Sequence, residues 1–348
     1  MKYNRFVFFL FVLCLCSVLK VQGKDSVIID RLKYVYNLKI LIDENIWRTF
    51  NDKQFDVPLI YYTDSNCYVI NPTEKFLYQH ESEIVYKDSD VRICKTYLLD
   101  SLPFHMSTEI IFGDTVPDYN YRSPFVNSSS VEITQKIIPD VNSTEEWATM
   151  LLHEYFHGFQ YKHSGFIDFF EKDVLSTSQN VLKELYASDS EFRNSIDKEN
   201  DLLLSAIKSE SLNGTQALVD SFLVWRDQRR KRIKKELKLD IKVSEETYET
   251  MEGTARYVEY SLYQMFAARS AQDDFIDSDT YFNGYTYFRN FEWDKSQWLY
   301  MTNKTTYFYA TGFNIARLLD KLNIEYKSIL FEQGDASLEN ILRLNYRF

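Results

Sequence analysis

The chain reads as an α+β protein, with a β-rich N-terminal part over residues 24–140 and a mostly helical part over 141–348 that carries a long helical insertion at 164–243. Three observations predict this. Before residue 140, short runs rich in β-branched and aromatic residues alternate with turn signals. From Thr144 onward, apolar residues recur at helical spacing almost to the end. The composition suits a folded, helix-rich chain, with 26 Tyr and 26 Phe set against 9 Gly and 6 Pro.

At the N-terminus, Lys2 and Arg5 flank an apolar stretch from Phe6 to Leu19, and Val21-Gln22-Gly23 offers a cleavage site before Lys24. Residues 1–23 therefore read as a signal peptide, short for a membrane span. A secreted or periplasmic protein with no integral span after cleavage is expected. Removing this segment takes away three basic residues, so the net charge moves from −11 to −14. Such an acidic chain is a poor general nucleic-acid binder. Only Cys67 and Cys94 remain in the mature chain, and an exported protein is expected to join them in a disulfide. Sequons at Asn127, Asn142, Asn213 and Asn303 would matter where the host glycosylates exported proteins.

Within 24–140, a short helix is expected over 43–51, and strands over 58–63, 83–87, 91–98, 108–112 and 130–138. Turn signals at Gly113-Asp114 and Val116-Pro117-Asp118 separate the later ones. The 130–138 stretch, just before the first strong helix, is a candidate edge strand for an extended peptide. Farther on, eight of the thirteen residues from Arg226 to Lys238 are Lys or Arg. In an exported chain this run reads as the solvated face and positive C-terminal end of a long helix beginning near Thr215.

The chemistry concentrates at His153-Glu154-Tyr155-Phe156-His157. Ser143 and Glu146 fit a capping box, and Ala148, Leu151, Tyr155 and Phe159 form an apolar stripe. On that helix His153 and His157 share a face, where both imidazoles reach one metal ion, with Glu154 beside them to act on water. This is the pattern of a zinc hydrolase holding one Zn2+. Catalytic zinc usually takes three protein ligands. His163 has the spacing of the last ligand in H-E-x-x-H-x-x-G-x-x-H, but Gln160 stands where that pattern needs glycine, and Gly158 lies two residues early. A second helix starts near Ser244, with Met251, Ala255, Val258, Leu262 and Phe266 as its apolar stripe. It offers Glu252, followed by Gly253, as the ligand. Glu259 is either a partner of a histidine or the ligand itself.

His153-Glu154-x-x-His157 followed by Glu252-Gly-x-Ala255-x-Tyr257 and by Tyr309-Ala-Thr-Gly312 resembles the gluzincin group of zinc metallopeptidases, aminopeptidase-like members included. The three elements come in the group's order across residues 143–325. The resemblance implies a zincin-like catalytic domain in which His153, His157 and Glu252 hold zinc and Glu154 is the general base. Tyr309, with Tyr257 behind it, is the candidate oxyanion stabiliser. The expected partner is a peptide or protein substrate. Two departures stand out: 94 residues separate His157 from Glu252, and Arg256 takes the place of an acid four residues after Glu252. Two rival readings share the motif: an inactive binding or scaffolding protein on such a fold, and a zinc amidase or esterase.

Overall fold

The computed structural model describes residues 4–347 except 114–116, 176 and 270–277, with side chains from residue 25 onward. A six-stranded sheet occupies the N-terminal part, and the chain is mostly helical beyond it, as the sequence predicts. Sheet order is β3-β4-β2-β1-β6-β5, where β1 is Leu59–Tyr62, β2 Asn66–Ile70, β3 Glu83–Lys87, β4 Arg92–Tyr97, β5 Met106–Glu109 and β6 Phe125–Ser129. β1 and β6 run parallel and the other pairs antiparallel, which leaves β3 and β5 as edges. Strand alternation sends Tyr61, Tyr68, Ile70 and Ile93 into the main core under the helices. Ile60, Tyr62, Cys67, Val69 and Phe125 face a smaller core on the other side. Phe76, from the short helix α2 (Glu74–Gln79), closes it.

Several expectations change here. Residues 25–45 are helical, part of α1 (Asn4–Asn45), and the short helix expected over 43–51 is the end of α1 followed by turns. Ile28, Leu32, Val35, Leu38, Ile42 and Ile46 are buried at near-heptad spacing, a period the β-branched composition obscures. The 130–138 segment is not a strand: Ser130 caps α3 (Val131–Ile137) by accepting from Ile133 N. The strands at the edges of the sheet are β3 and β5 instead. Cys67 and Cys94 are free and buried. Their strands pair Cys67 with Thr96 and Val69 with Cys94. The thiols thus sit on a diagonal, where separations of ~7–8 Å exceed a disulfide's reach. Asn127 is buried in β6, whereas Asn142, Asn213 and Asn303 are exposed. The turn expected around 113–118 falls partly outside the described residues. So do the side chains of the expected signal segment, whose residues 4–23 lie in α1. Among the described residues, no helix is long and apolar enough to cross a membrane.

The helical part comprises α4 (Thr144–Lys162), α5 (Ser164–Phe169), α6 (Gln179–Ser188), α7 (Ser190–Lys208), α8 (Leu212–Leu237), α9 (Lys242–Ala268), α10 (Thr286–Arg289), α11 (Tyr307–Lys321) and α12 (Leu338–Asn345). One apolar core runs from Ile28 on α1 to Tyr346 past α12. α4 packs on β5 and β6, α9 packs on α4, and α11 packs on α9. The basic run on α8 is only partly solvated. Its lysines are exposed, but Arg226, Arg229 and Arg230 are buried and face carboxylates of α7, α9 and α12.

Candidate metal centre

α4 begins as its sequence predicts. Ser143 Oγ accepts from Glu146 N at 3.1 Å, and the Glu146 carboxylate accepts from Asn142 N at 2.7 Å. Glu145, next to it, is buried and accepts from the backbones of Asn283 and Tyr285, which ties the start of the helix to the loop before α10. The helix runs unbroken through Gly158 to Lys162, so His153 and His157 lie one turn apart on one face. Both are buried, and their rings stand 4.9 Å apart at 83°.

Glu252 reaches this face from α9. Its Oε2 lies 3.2 Å from His157 Nε2 and 3.6 Å from His153 Nε2. The same oxygen is buried and accepts no hydrogen bond. The other ring nitrogens are committed elsewhere. His157 Nδ1 lies 2.9 Å from Gln160 Oε1, and Gln160 Nε2 donates to Met251 O and Thr254 Oγ1. His153 Nδ1 lies 3.5 Å from Glu259 Oε2, and Glu259 Oε1 accepts from Tyr263 Oη at 2.7 Å. Acceptors behind both rings suit a proton on each Nδ1 and leave each Nε2 facing Glu252. Gln160, read from sequence as a missing glycine, is thus the residue that orients His157. It lies three residues after His157 on the same helix face, a spacing that could have pointed to it.

Glu154 is half-buried, and its Oε2 is within 3.3 Å of Thr108 Oγ1, which also donates to the Glu154 carbonyl. Thr108 lies on β5 and had no local sequence signal. His153, Glu154 and His157 each offer a ligand atom within 4.8 Å of the others, so the group could hold one metal ion. Charge agrees with this. Burial alone would raise the Glu252 pKa, but His157 and His153 hold it well below the usual carboxylate range. Burial opposes protonation of His153, yet Glu252 and Glu259 outweigh it and push its pKa up to about 10. His157 is raised in the same way, against its burial, chiefly by Glu252. Three carboxylates around two imidazoles call for positive charge, which protons or a metal cation can supply.

The other sequence candidates separate clearly. Tyr309, in the first turn of α11, stands with its ring 6.0 Å from that of His153 and nearly parallel to it. Burial and then Glu252 raise its pKa. Arg256 lies over the Tyr309 and Trp298 rings at 4.8 and 5.3 Å and donates to Trp298 O, so it braces Tyr309. Tyr257 points away and accepts from Lys327 Nζ at 2.9 Å. His163 caps the end of α4, stacks on Phe55 at 4.2 Å and faces Glu332, away from the other two histidines. Glu259 is a partner of His153. A cleft of about 640 Å³ opens beside His153 and Glu154, walled by Met106, Met150, Tyr263, Tyr287, Trp298 and Tyr309.

No family model matches this chain, and neither do the curated proteins or solved structures compared with it.

Proposed function

We propose that the protein is an exported zinc metallopeptidase of gluzincin type, with His153, His157 and Glu252 as ligands and Glu154 as general base. The observation that carries this is Glu252 Oε2. It is buried and without a hydrogen bond, and it faces two Nε2 atoms at 3.2 and 3.6 Å. Ligands 2.0–2.1 Å from a tetrahedral zinc stand roughly 3.3–3.4 Å apart, so these spacings suit that ion. Two imidazoles and one carboxylate also favour zinc over calcium or magnesium. Bound there, zinc would supply Lewis-acid chemistry, making water nucleophilic near neutral pH and polarising a carbonyl.

The chain's own groups supply the rest. Glu154, which lines the cleft, takes the proton from the attacking water and passes it to the leaving amine. Thr108 Oγ1 holds that carboxylate at 3.3 Å. Tyr309, braced by Arg256, presents its hydroxyl beside Glu252 as the oxyanion donor. β5 borders the centre with its outer edge open, and an extended peptide can add to it as a further strand.

The test measures bound zinc and hydrolysis of a quenched-fluorescent peptide library for the wild type and for Glu154→Gln. About one zinc per chain is expected in both, with turnover reduced at least 1,000-fold in the variant. Turnover that survives the substitution would remove Glu154 as the base. A zinc-loaded wild type that cuts no peptide would end the peptidase reading.

A further inference from the structure

The concave surface along β5 does not stop at the metal centre. A second hollow of about 320 Å³ lies at the start of this strand. The two hollows have no lining residue in common, but they adjoin through neighbouring residues of the chain. Met106 and Ile138 line the metal cleft, while the adjoining His105 and Ile137 line the second hollow. Its floor is firmly held: the His105 ring stacks on Tyr62 at 3.6 Å, and its Nε2 lies 3.1 Å from Asp100 Oδ1. Its rim carries large apolar side chains open to solvent, with Leu102 63%, Ile137 52% and Leu98 38% exposed, beside the exposed Asp64 and Lys136. Large apolar side chains gathered around a hollow mark a binding surface more often than isolated ones do.

The backbone of β5 links the two hollows. His105 is bonded toward β6, its N–H donating to Ser129 Oγ and its carbonyl accepting from Ser129 N. Antiparallel alternation then turns the backbone groups of Met106 and Thr108 to the open side of the strand. Thr108 is the residue that holds Glu154. His105 lies three residues before it, ~10 Å at 3.3–3.4 Å per residue. A chain laid along this edge sends alternate side chains to opposite faces of the sheet. One set enters the metal cleft and the other turns toward the second hollow.

Resting on the metallopeptidase reading, we propose that the two hollows form one track for an extended polypeptide substrate, and that a bulky apolar side chain about three residues from the cleaved bond seats among Leu102, Ile133 and Ile137. The adjoining linings at His105/Met106 and Ile137/Ile138, with the common backbone edge of β5, make the occupant of the second hollow the same chain that is cut. The favoured substrate is therefore an unfolded or flexible segment that reaches at least three residues past the scissile bond on that side. Leu102 and Ile137 act as specificity residues and do not touch the reacting atoms.

The experiment uses zinc-loaded full-length protein and a dodecapeptide library, with the cut position read by mass spectrometry. Leu or Phe is compared with Asp at each position. The wild type should prefer the apolar residue at least tenfold in kcat/KM at one position about three residues from the cut. Leu102→Asp and Ile137→Asp, both at exposed sites, should each bring that ratio to within about twofold of unity, with zinc content and Tm kept. A ratio unchanged in both variants, or no such preference in the wild type, overturns the track while leaving the peptidase reading intact. Absence of cleavage of the whole library by the wild type removes both.

Discussion

Gln160 shows how one side chain can orient a candidate metal ligand without being a ligand itself. Its amide is fixed on one side by Met251 O and Thr254 Oγ1 and presents its oxygen to His157 Nδ1 on the other. Partners of this kind typically account for 10–100-fold in metal affinity. Gln160→Ala should therefore weaken zinc binding by about that factor in competition with a chromophoric chelator. His163→Ala should leave it unchanged, because His163 faces Glu332 and Phe55. Equal loss in both variants would return His163 to the ligand set. The centre was legible from sequence where chemistry follows helical spacing: His153, Glu154 and His157 needed only the period of α4. Thr108 was not legible, because it reaches Glu154 across 46 residues of chain through a strand pairing.

Helix α9 carries Glu252 and Glu259, and its placement depends on a glycine contact. A Cβ on Gly253 would stand 2.3 Å from the backbone carbon of Gly312, and one on Gly312 would stand 2.0 Å from Glu249 O. The glycine after Glu252 thus lets α9 approach α11, not α4. The Tyr309-x-x-Gly312 element is the other half of that contact, and it sets Tyr309 one turn before the crossing, beside His153. Two effects compete in Gly253→Ala. Helix propensity favours alanine by about 1 kcal/mol. The clash is with backbone, which cannot rotate away, and overpacking costs typically 1–3 kcal/mol. The clash should win, so Tm falls, and on the proposed peptidase function kcat/KM falls by about 100-fold as Glu252 and Tyr309 shift. A higher Tm with full activity would show that the two helices tolerate separation. α4 and α9 were readable because each has an apolar stripe at helical spacing. β6 was not, since its Phe-Val-Asn-Ser-Ser sequence is polar yet fully buried, with Trp147 Nε1 donating to Ser128 Oγ and Ser129 O. At 130–138 β-branched composition pointed to a strand, and the Ser130 cap decided for helix.

Across the whole molecule, the helix that supplies the third ligand candidate is tied down at its first half by buried charge. Arg226, Arg229 and Arg230 of α8 bond Glu199 of α7, Glu245, Glu246 and Glu249 of α9, and Glu339 of α12. Tyr307 and Thr311 of α11 donate to Glu245 and Glu249 at 2.6 Å each, so the four-helix junction also holds the helix of Tyr309. From sequence the run looked like a solvated face, because its carboxylate partners lie on three other helices and are invisible to local patterning. The carboxylates outnumber these three guanidinium groups. The arginines hold Glu245 and Glu339 below the usual range against their burial. Glu246 goes the other way, raised from 4.5 to about 7 by burial and by Glu339. A raised carboxylate makes the native state hold a proton that the unfolded chain releases above about pH 4.5. The stability it contributes is full below that value and is lost as pH rises through about 7. Wild-type Tm should therefore climb as pH is lowered from 8 to 6. Glu246→Gln mimics the protonated acid and keeps the acceptor for Arg230, so its Tm should exceed the wild type's at pH 8, with the difference shrinking toward pH 5. Thermal unfolding of both proteins across pH 5–8, at fixed zinc, reads that difference. A difference that stays constant over the range would place the neutral-pH titration on another group and leave Glu246 charged within the network.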